Sequence, residues 1–315
     1  MTYELLKRLV SFTLTLLAAV VVVFLVLEVL PGDPAAVMLG PDATPQMIAS
    51  LRTELGLDQP ALWRFLHWLG AMSVGDFGIS YSYRVPVRGL ILDRLAVTLP
   101  LALMAIVLTT VVAVAAGVYA AANSNRIGGH LTMGLTQVGI AIPNFWFGLV
   151  LVLIFSVGLR WFPSNGFPGW SRGVWPAIHA LVLPATALAV VQAAILARVT
   201  RASLLDVLRD DFMRTARSKG LTRQQALWRH ALQNALIPIA TIMGLQFAQL
   251  MAGTIVIENV FALPGLGNLI FQAVGQRDLI VIRSVVVVLS AMVIAINFIV
   301  DMAYILIDPR LRVRK

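Results

Sequence analysis

Side chains able to bind or transform a ligand are sparse in this 315-residue sequence, and most of the candidates are amides set in long apolar runs. Gln137, Asn144, Gln192, Gln246, Gln249 and Asn297 are the polar groups in those runs, and Gln246 and Gln249 share one helix face through their i, i+3 spacing. Such amides either tie helices together or meet a passing solute, and the first role is the commoner. Asp301 follows Asn297 by one helical turn, where a structural pairing with a basic residue suits it. Met243 and Met251 read as packing residues. No HExxH or GxSxG pattern occurs, and no Ser/His or paired-Asp arrangement lies in the runs, so hydrolytic chemistry has no visible machinery. There is no cysteine, and the four histidines form no ligand-spaced cluster, which excludes disulfides and thiolate metal sites. No GxxxxGK phosphate loop followed by Ser or Thr occurs, so the chain has no visible means of binding ATP that way.

A second kind of chemistry is electrostatic. Arg214, Thr215, Ala216, Arg217, Ser218, Lys219, Gly220 and Leu221 make a compact basic stretch in which Gly220 breaks a helix. Upstream, Leu204, Leu205, Leu208, Phe212 and Ala216 recur as an apolar helical stripe, and a second short helical pattern runs through Ala226, Leu227 and His230. A helix–Gly–helix element of this kind fits either an anionic lipid surface or a groove on a partner protein.

The elements that position these groups follow from composition. Hydrophobic residues make up 59% of the chain and charged residues 12%, against about 25% charged in soluble domains. The mean hydropathy is +0.87. A membrane crossing needs about 20 apolar residues. Six stretches qualify, near 9–30, 97–122, 131–159, 177–197, 235–257 and 280–307, and the third and fourth are interrupted by Pro143 with Asn144 and by Pro184. Charges within the spans are very few, Glu28 near the outer end of the first and Asp301 within the sixth, so a proton- or sodium-driven cycle is poorly supplied and the energy for active transport must come from elsewhere.

The net charge of +9 is explained by topology rather than by nucleic acid. Lys7 and Arg8, Arg126, the run from Arg198 to Arg229, and Arg310, Arg312, Arg314 and Lys315 all fall on one side if six spans exist, which places both termini in the cytoplasm. The segment 31–96 falls on the other side and balances Arg52, Arg64, Arg84, Arg88 and Arg94 against six acids. Its Leu62, Phe65, Leu66 and Leu69 recur at helical spacing beside Trp63 and Trp68, which predicts short helices serving as an interfacial cap, a docking surface or both. A cleaved signal peptide at the first run is disfavoured, because the run is long and no A-x-A site follows Glu28 and Pro31. The predicted organisation is a tail and first helix over 1–30, the segment 31–96, a membrane core over 97–307 containing a cytoplasmic element at 200–234, and a basic tail at 308–315.

Across nearly its whole length the chain resembles a permease subunit of the dipeptide, oligopeptide and nickel branch of the ATP-binding-cassette importers. The residues that carry this are Pro31-Gly32-Asp33-Pro34, Leu55-Gly56-Leu57-Asp58-Gln59-Pro60, Gly75-Asp76-Phe77-Gly78-Ile79-Ser80 and Pro86-Val87, then Ile142-Pro143-Asn144-Phe145 and Trp161-Phe162-Pro163. Glu258-Asn259-Val260-Phe261, Pro264-Gly265-Leu266-Gly267 and the closing Asn297, Asp301, Tyr304 and Asp308-Pro309-Arg310 follow in the same order. The strongest stretch, 214–221 continued by 229–238, is similar to the family's EAA loop, with Arg214 where the general pattern has Glu. The resemblance implies an all-α polytopic protein with six transmembrane helices, the type I importer permease fold, an extended periplasmic segment between the first two helices, and a place in the bacterial or archaeal inner membrane. It also implies a second homologous permease, two ATPases carrying ATP and Mg, and a periplasmic or lipid-anchored solute-binding protein, with 214–221 as the element that docks on an ATPase and with no cofactor or catalytic site in this chain. Import of di- or oligopeptides by alternating access is the leading expectation. Nickel or another small solute is the alternative, the loop 160–176 with Gly169-Trp170 being similar to that of nickel members, and a stand-alone channel or secondary transporter is the third.

Overall fold

A computed structural model describes residues 2–29 and 33–307, so the expectations placed on Pro31, Gly32 and the basic tail lie outside the described residues. The side chains of Asp301 and Tyr304 lie outside them as well. Thirteen α-helices and no strand occur among the described residues, in the order α1 (Thr2–Val29), α2 (Pro34–Leu39), α3 (Pro45–Glu54), α4 (Ala61–Ser73), α5 (Val87–Ala122), α6 (Ile127–Ala141), α7 (Asn144–Leu151), α8 (Val174–Val207), α9 (Asp211–Ser218), α10 (Arg223–Ala226), α11 (Leu232–Val260), α12 (Leu266–Gly275) and α13 (Leu279–Ile307). Two π-helical turns, Val152–Gly158 and Leu227–Ala231, extend α7 and join α10 to α11. The α1, α5, α8, α10–α11 and α13 helices are each long and apolar enough to cross a membrane.

The expected third span is not one straight helix. Pro143 has no N–H to donate and forces Ile142 into an extended conformation (φ −84°, ψ 122°), so α6 ends there and α7 restarts at an angle of 101°. Six spans are reached only if this bent pair counts as one. Pro184, in contrast, is absorbed inside α8, the most buried of the long helices.

The chain divides into two compact units. The first comprises Leu99–Leu263 with the residues from Ala295 onward. Helix α8 forms its centre, with α6, α7 and α11 packed against it. Small residues allow close approach: a Cβ on Gly117 would lie 2.5 Å from Thr200 Cβ, and one on Gly253 would lie 3.0 Å from Leu188 Cδ2. A buried apolar cluster joins Ala113 and Val118 of α5, Leu196 and Leu204 of α8, Met213 of α9, Leu227, and Ala235 and Ile239 of α11.

The second unit comprises Thr2–Thr98 and Pro264–Ile294. Three short helices, α2 to α4, form in the segment expected to hold them. Asp33 accepts from the Ala35 N–H at 3.0 Å and from Arg52 Nη1 at 2.7 Å, capping α2 and pinning it to α3. Burial alone would raise the Asp33 carboxyl, but these bonds, the charge of Arg52 and the Ala36 N–H together outweigh it and hold the group below its ordinary value. The stripe expected on α4 is rotated: Phe65, Trp68, Leu69 and Met72 pack with Val20, Val23 and Phe24 of α1, whereas Leu62, Trp63 and Leu66 are exposed. Asp278, fully buried, accepts from Ser80 Oγ at 2.6 Å and from the Ser82 N–H at 3.0 Å while its other oxygen accepts from the Val281 N–H in the first turn of α13.

Candidate functional site

Two sets of residues were expected to act, and both fall in the first unit. The basic set lies on α9 and the turn that follows. Met213 is buried in the apolar cluster, whereas Arg214, Thr215, Arg217, Ser218 and Lys219 are exposed and Ala216 and Leu221 are half-buried. Among the described residues Arg214 pairs with Asp211 alone, at 3.5 Å on the open surface, a contact of small energetic value. Gly220 has φ +90° and a Cβ there would meet nothing within 4 Å, so what constrains the position is its left-handed backbone. The next helix starts on a reciprocal cap: the Thr222 N–H donates to Gln225 Oε1 at 3.0 Å and the Gln225 N–H donates to Thr222 Oγ1 at 3.2 Å.

This differs from the stripe read along 204–216. Helix α8 ends at Val207, residues 208–210 turn, and α9 begins at Asp211. The turn shifts the helical phase, so Phe212 is exposed and Met213 takes the inward position. The expected second helix around Ala226, Leu227 and His230 is not separate from the fifth span either, because the π turn carries it straight into α11.

The amide set is only partly assembled. Asn144, Gln192 and Gln249 line one cavity of about 340 Å³ at the break between α6 and α7, together with Ile142, Leu188 and Leu250. Gln192 Nε2 donates to Gln249 Oε1 at 3.2 Å, and Gln246 Nε2 donates to the Gln192 carbonyl at 2.9 Å. Gln192 Oε1 and Gln246 Oε1 are both buried without a donor. Gln246 therefore braces α11 against α8, as intramembrane amides commonly do, while Asn144, Gln192 and the exposed Gln249 present polar atoms to the cavity. The other two amides lie elsewhere. Gln137 accepts from Arg198 Nη1 at 3.2 Å, and Asn297 packs where a Cβ on Gly244 would come within 3.2 Å of its Oδ1.

These two sets share their supports. Helix α8 carries both Gln192 and the cluster residues Leu196 and Leu204, and α11 carries both Gln249 and the cluster residues Ala235 and Ile239. A close-packed apolar contact therefore joins α9, through Met213, to the helices that line the amide cavity.

One charged residue escaped the sequence reading. Arg283 stands four residues inside the apolar run of α13, and its guanidinium carbon lies 5.4 Å from the centre of the Trp68 ring. A lone arginine in such a run was the available signal.

Known proteins match the chain over nearly its whole length. Residues 113–313 match the family described as "Binding-protein-dependent transport system inner membrane component", and residues 1–102 match its N-terminal counterpart. A probable peptide ABC transporter permease protein of Sinorhizobium fredii is 41% identical over 308 residues, covering 98% of each chain. The glutathione transport system permease protein GsiC of Escherichia coli is 42% identical over 306 residues, covering 97% of each. A putative peptide transport system permease protein of Brucella abortus is 40% identical over 312 residues, covering 99% of each. Among solved structures, the inward-facing MetNI methionine ABC transporter superposes with a TM-score of 0.55 over 70% of this chain and 96% of that chain, at 18% identity, a likeness of fold.

Proposed function

Because the chain belongs to the binding-protein-dependent transport system inner-membrane components, we propose that it moves di- or oligopeptides across the inner membrane through the amide cavity and takes its energy from partner ATPases at α9. The observation that carries this is the division of α9, with Met213 sealed into the core of the first unit and a basic face left open beside Gly220. An open basic face offers a partner protein a contact, and the buried residue makes that contact mechanically useful. ATP and Mg belong on the partner ATPases in this reading, since this chain supplies no GxxxxGK phosphate loop followed by Ser or Thr.

The cycle requires a second homologous permease to complete the pathway, two ATPases below it, and an external solute-binding protein to deliver the solute. Closure of the ATPases would move α9, and α8 and α11 would rock between inward- and outward-open arrangements. Both termini and the element 200–234 lie in the cytoplasm in this reading, which the one-sided placement of Arg and Lys supports. A peptide is favoured over nickel by the names of the relatives and by a cavity that offers amide groups, the natural partners of peptide bonds.

The chain has no native cysteine, so Ser218→Cys introduces a unique thiol on the exposed face of α9. Bismaleimide treatment of the assembled complex should join that thiol to an ATPase carrying a cysteine in its docking groove. Labelling of the thiol by a membrane-impermeant reagent applied from outside intact cells would overturn the assignment.

A further inference from the structure

A second cavity, of about 510 Å³, lies wholly within the unit that contains α1, α4 and the start of α13. Three donors shielded from solvent find no acceptor among the described residues: Arg64 Nε, Trp68 Nε1 and Arg283 Nε, and all three side chains line this one cavity. An unpaired buried donor costs on the order of 1–3 kcal/mol, more when it belongs to a charged group, so three around one space call for an acceptor. The native carboxylates do not supply it. Glu28 is engaged by Arg64, and Asp76 accepts from the Gly78 N–H at 2.9 Å. Arg283 forms no hydrogen bond or ion pair with any described residue, and its planar group lies against the Trp68 ring.

Position along the apolar runs points to the acceptor. Helix α4 packs on α1 at Val20, Val23 and Phe24, and the apolar run of α1 ends at Val26. At 1.5 Å per residue, Val20 lies about 9 Å below the end of that run. Arg283 is four residues into its own run, which begins at Leu279, or about 6 Å deep. Both values fall at the boundary between headgroups and acyl chains, about 5–10 Å down, where interfacial helices lie and tryptophan is enriched. Leu62, Trp63 and Leu66 on α4 and Val22, Leu25 and Val26 on α1 expose apolar surface in the same region of the unit, suited to acyl chains. At that depth the abundant acceptor is a lipid phosphodiester, whose two unbridged oxygens take a guanidinium fork.

We propose that this cavity holds the headgroup of one phospholipid, its phosphate on Arg283, Trp68 and Arg64. The remaining lining carboxylates, Glu54 and Asp76, select its other end. They attract an ammonium, which an ethanolamine headgroup carries and the neutral glycerol of phosphatidylglycerol lacks, so the headgroup is zwitterionic, of the ethanolamine class. This bound lipid anchors α4 and the first turn of α13 to one leaflet, independently of which solute the chain carries.

Native mass spectrometry of the purified full-length chain tests this with short-chain phosphatidylethanolamine, short-chain phosphatidylglycerol, inorganic phosphate and dialanine as separate probes. One phosphatidylethanolamine should bind, at least tenfold tighter than phosphatidylglycerol. Arg283→Gln should weaken it tenfold or more, Arg283→Lys should restore part of the loss, and neither phosphate nor dialanine should displace it. Glu54 is exposed, so Glu54→Gln leaves the fold alone and should narrow the preference over phosphatidylglycerol several-fold even if Arg283→Gln fails to fold. Equal binding to the wild type and Arg283→Gln overturns the site. Displacement by dialanine overturns the lipid and marks a solute carboxylate site, and displacement by phosphate marks a free-anion site. A glycerol headgroup bound as tightly as ethanolamine overturns the role given to Glu54 and Asp76.

Discussion

The two cavities differ in the polar atoms they leave unmet. The space beside Asn144, Gln192 and Gln249 is lined by uncharged amides, and the buried orphans in and beside its lining are acceptors, Gln192 Oε1 and Gln246 Oε1. The space beside Trp68 is lined by Arg64, Arg283 and three carboxylates, and its orphans are donors. Neutral hydrogen bonds contribute about 0.5–1.5 kcal/mol each and exchange readily with water, whereas bonds to charged groups contribute about 1.5–3. The first lining suits a ligand that must leave again, and the second suits one that stays. In the proposed reading, the transport pathway and the anchoring site differ in charge before they differ in shape.

That contrast can be broken from the amide side first. Gly253→Val should give the largest effect, because a Cβ there already lies 3.0 Å from Leu188 Cδ2 and 3.2 Å from Asn144 Nδ2. The extra methyls would fill the space beside Asn144, and uptake in reconstituted vesicles should fall about 100-fold, equivalent to about 2.7 kcal/mol on the rate. Retention of bound lipid by the same variant should be unchanged. Gln192→Leu is milder: it removes both the bond to Gln249 and the unsatisfied Oε1. Uptake should drop about tenfold while thermal stability stays within about 1 kcal/mol of wild type, since an orphaned acceptor is lost along with the bond. If Gln192→Leu transports normally, this amide braces helices and does not meet the solute.

From the charged side the expected changes are smaller. Trp68→Phe keeps a ring packed against Phe24 of α1 but loses Nε1 and weakens the attraction for Arg283, so lipid retention measured by mass spectrometry should fall about threefold, or about 0.6 kcal/mol. The smallest effect concerns Asp33, whose carboxyl titrates below its ordinary value of 3.8. A depressed carboxylate stabilises the fold above its unfolded pKa, and that contribution fades as pH falls through the folded pKa. Hydrogen exchange across α2 and α3 should thus be flat from pH 8 to about 5, quicken relative to its intrinsic rate only below about pH 4, and lose this dependence in Asp33→Asn.

Much of this was legible in the sequence, and the exceptions share a cause. Helices α1, α5, α8, α11 and α13 announce themselves because an unbroken apolar run needs no phase to be recognised. Pro143 marked where the third span would be weak, but the 101° bend depends on how α7 packs on α8, with Gly148 close enough that a Cβ would lie 3.1 Å from Phe261. The basic face of α9 is legible in the sequence, whereas the apolar stripe points to Phe212 and the structure buries Met213, because a three-residue turn at 208–210 resets the helical phase. The T-x-x-Q pattern at Thr222 and Gln225 would have located the start of the next helix. Asn144, Gln192 and Gln249 were named with three other amides, and only long-range packing decides which of the six reach one cavity. Arg283 was visible and overlooked, since its meaning depends on Trp68, more than two hundred residues away in the chain.

The central claim is that this chain is a pathway moved from outside itself through the element ending at Gly220. The most direct measurement is uptake of a labelled dipeptide into proteoliposomes holding the chain with its companion permease, ATPases and binding protein, compared with the chain alone and with Gly220→Val. A left-handed φ of +90° strains a β-branched residue, so the variant should insert normally and still lose ATP-driven uptake. Uptake by the full assembly should require ATP, and the chain alone should carry none. Flux through the chain alone, or undiminished uptake in Gly220→Val, would contradict the account.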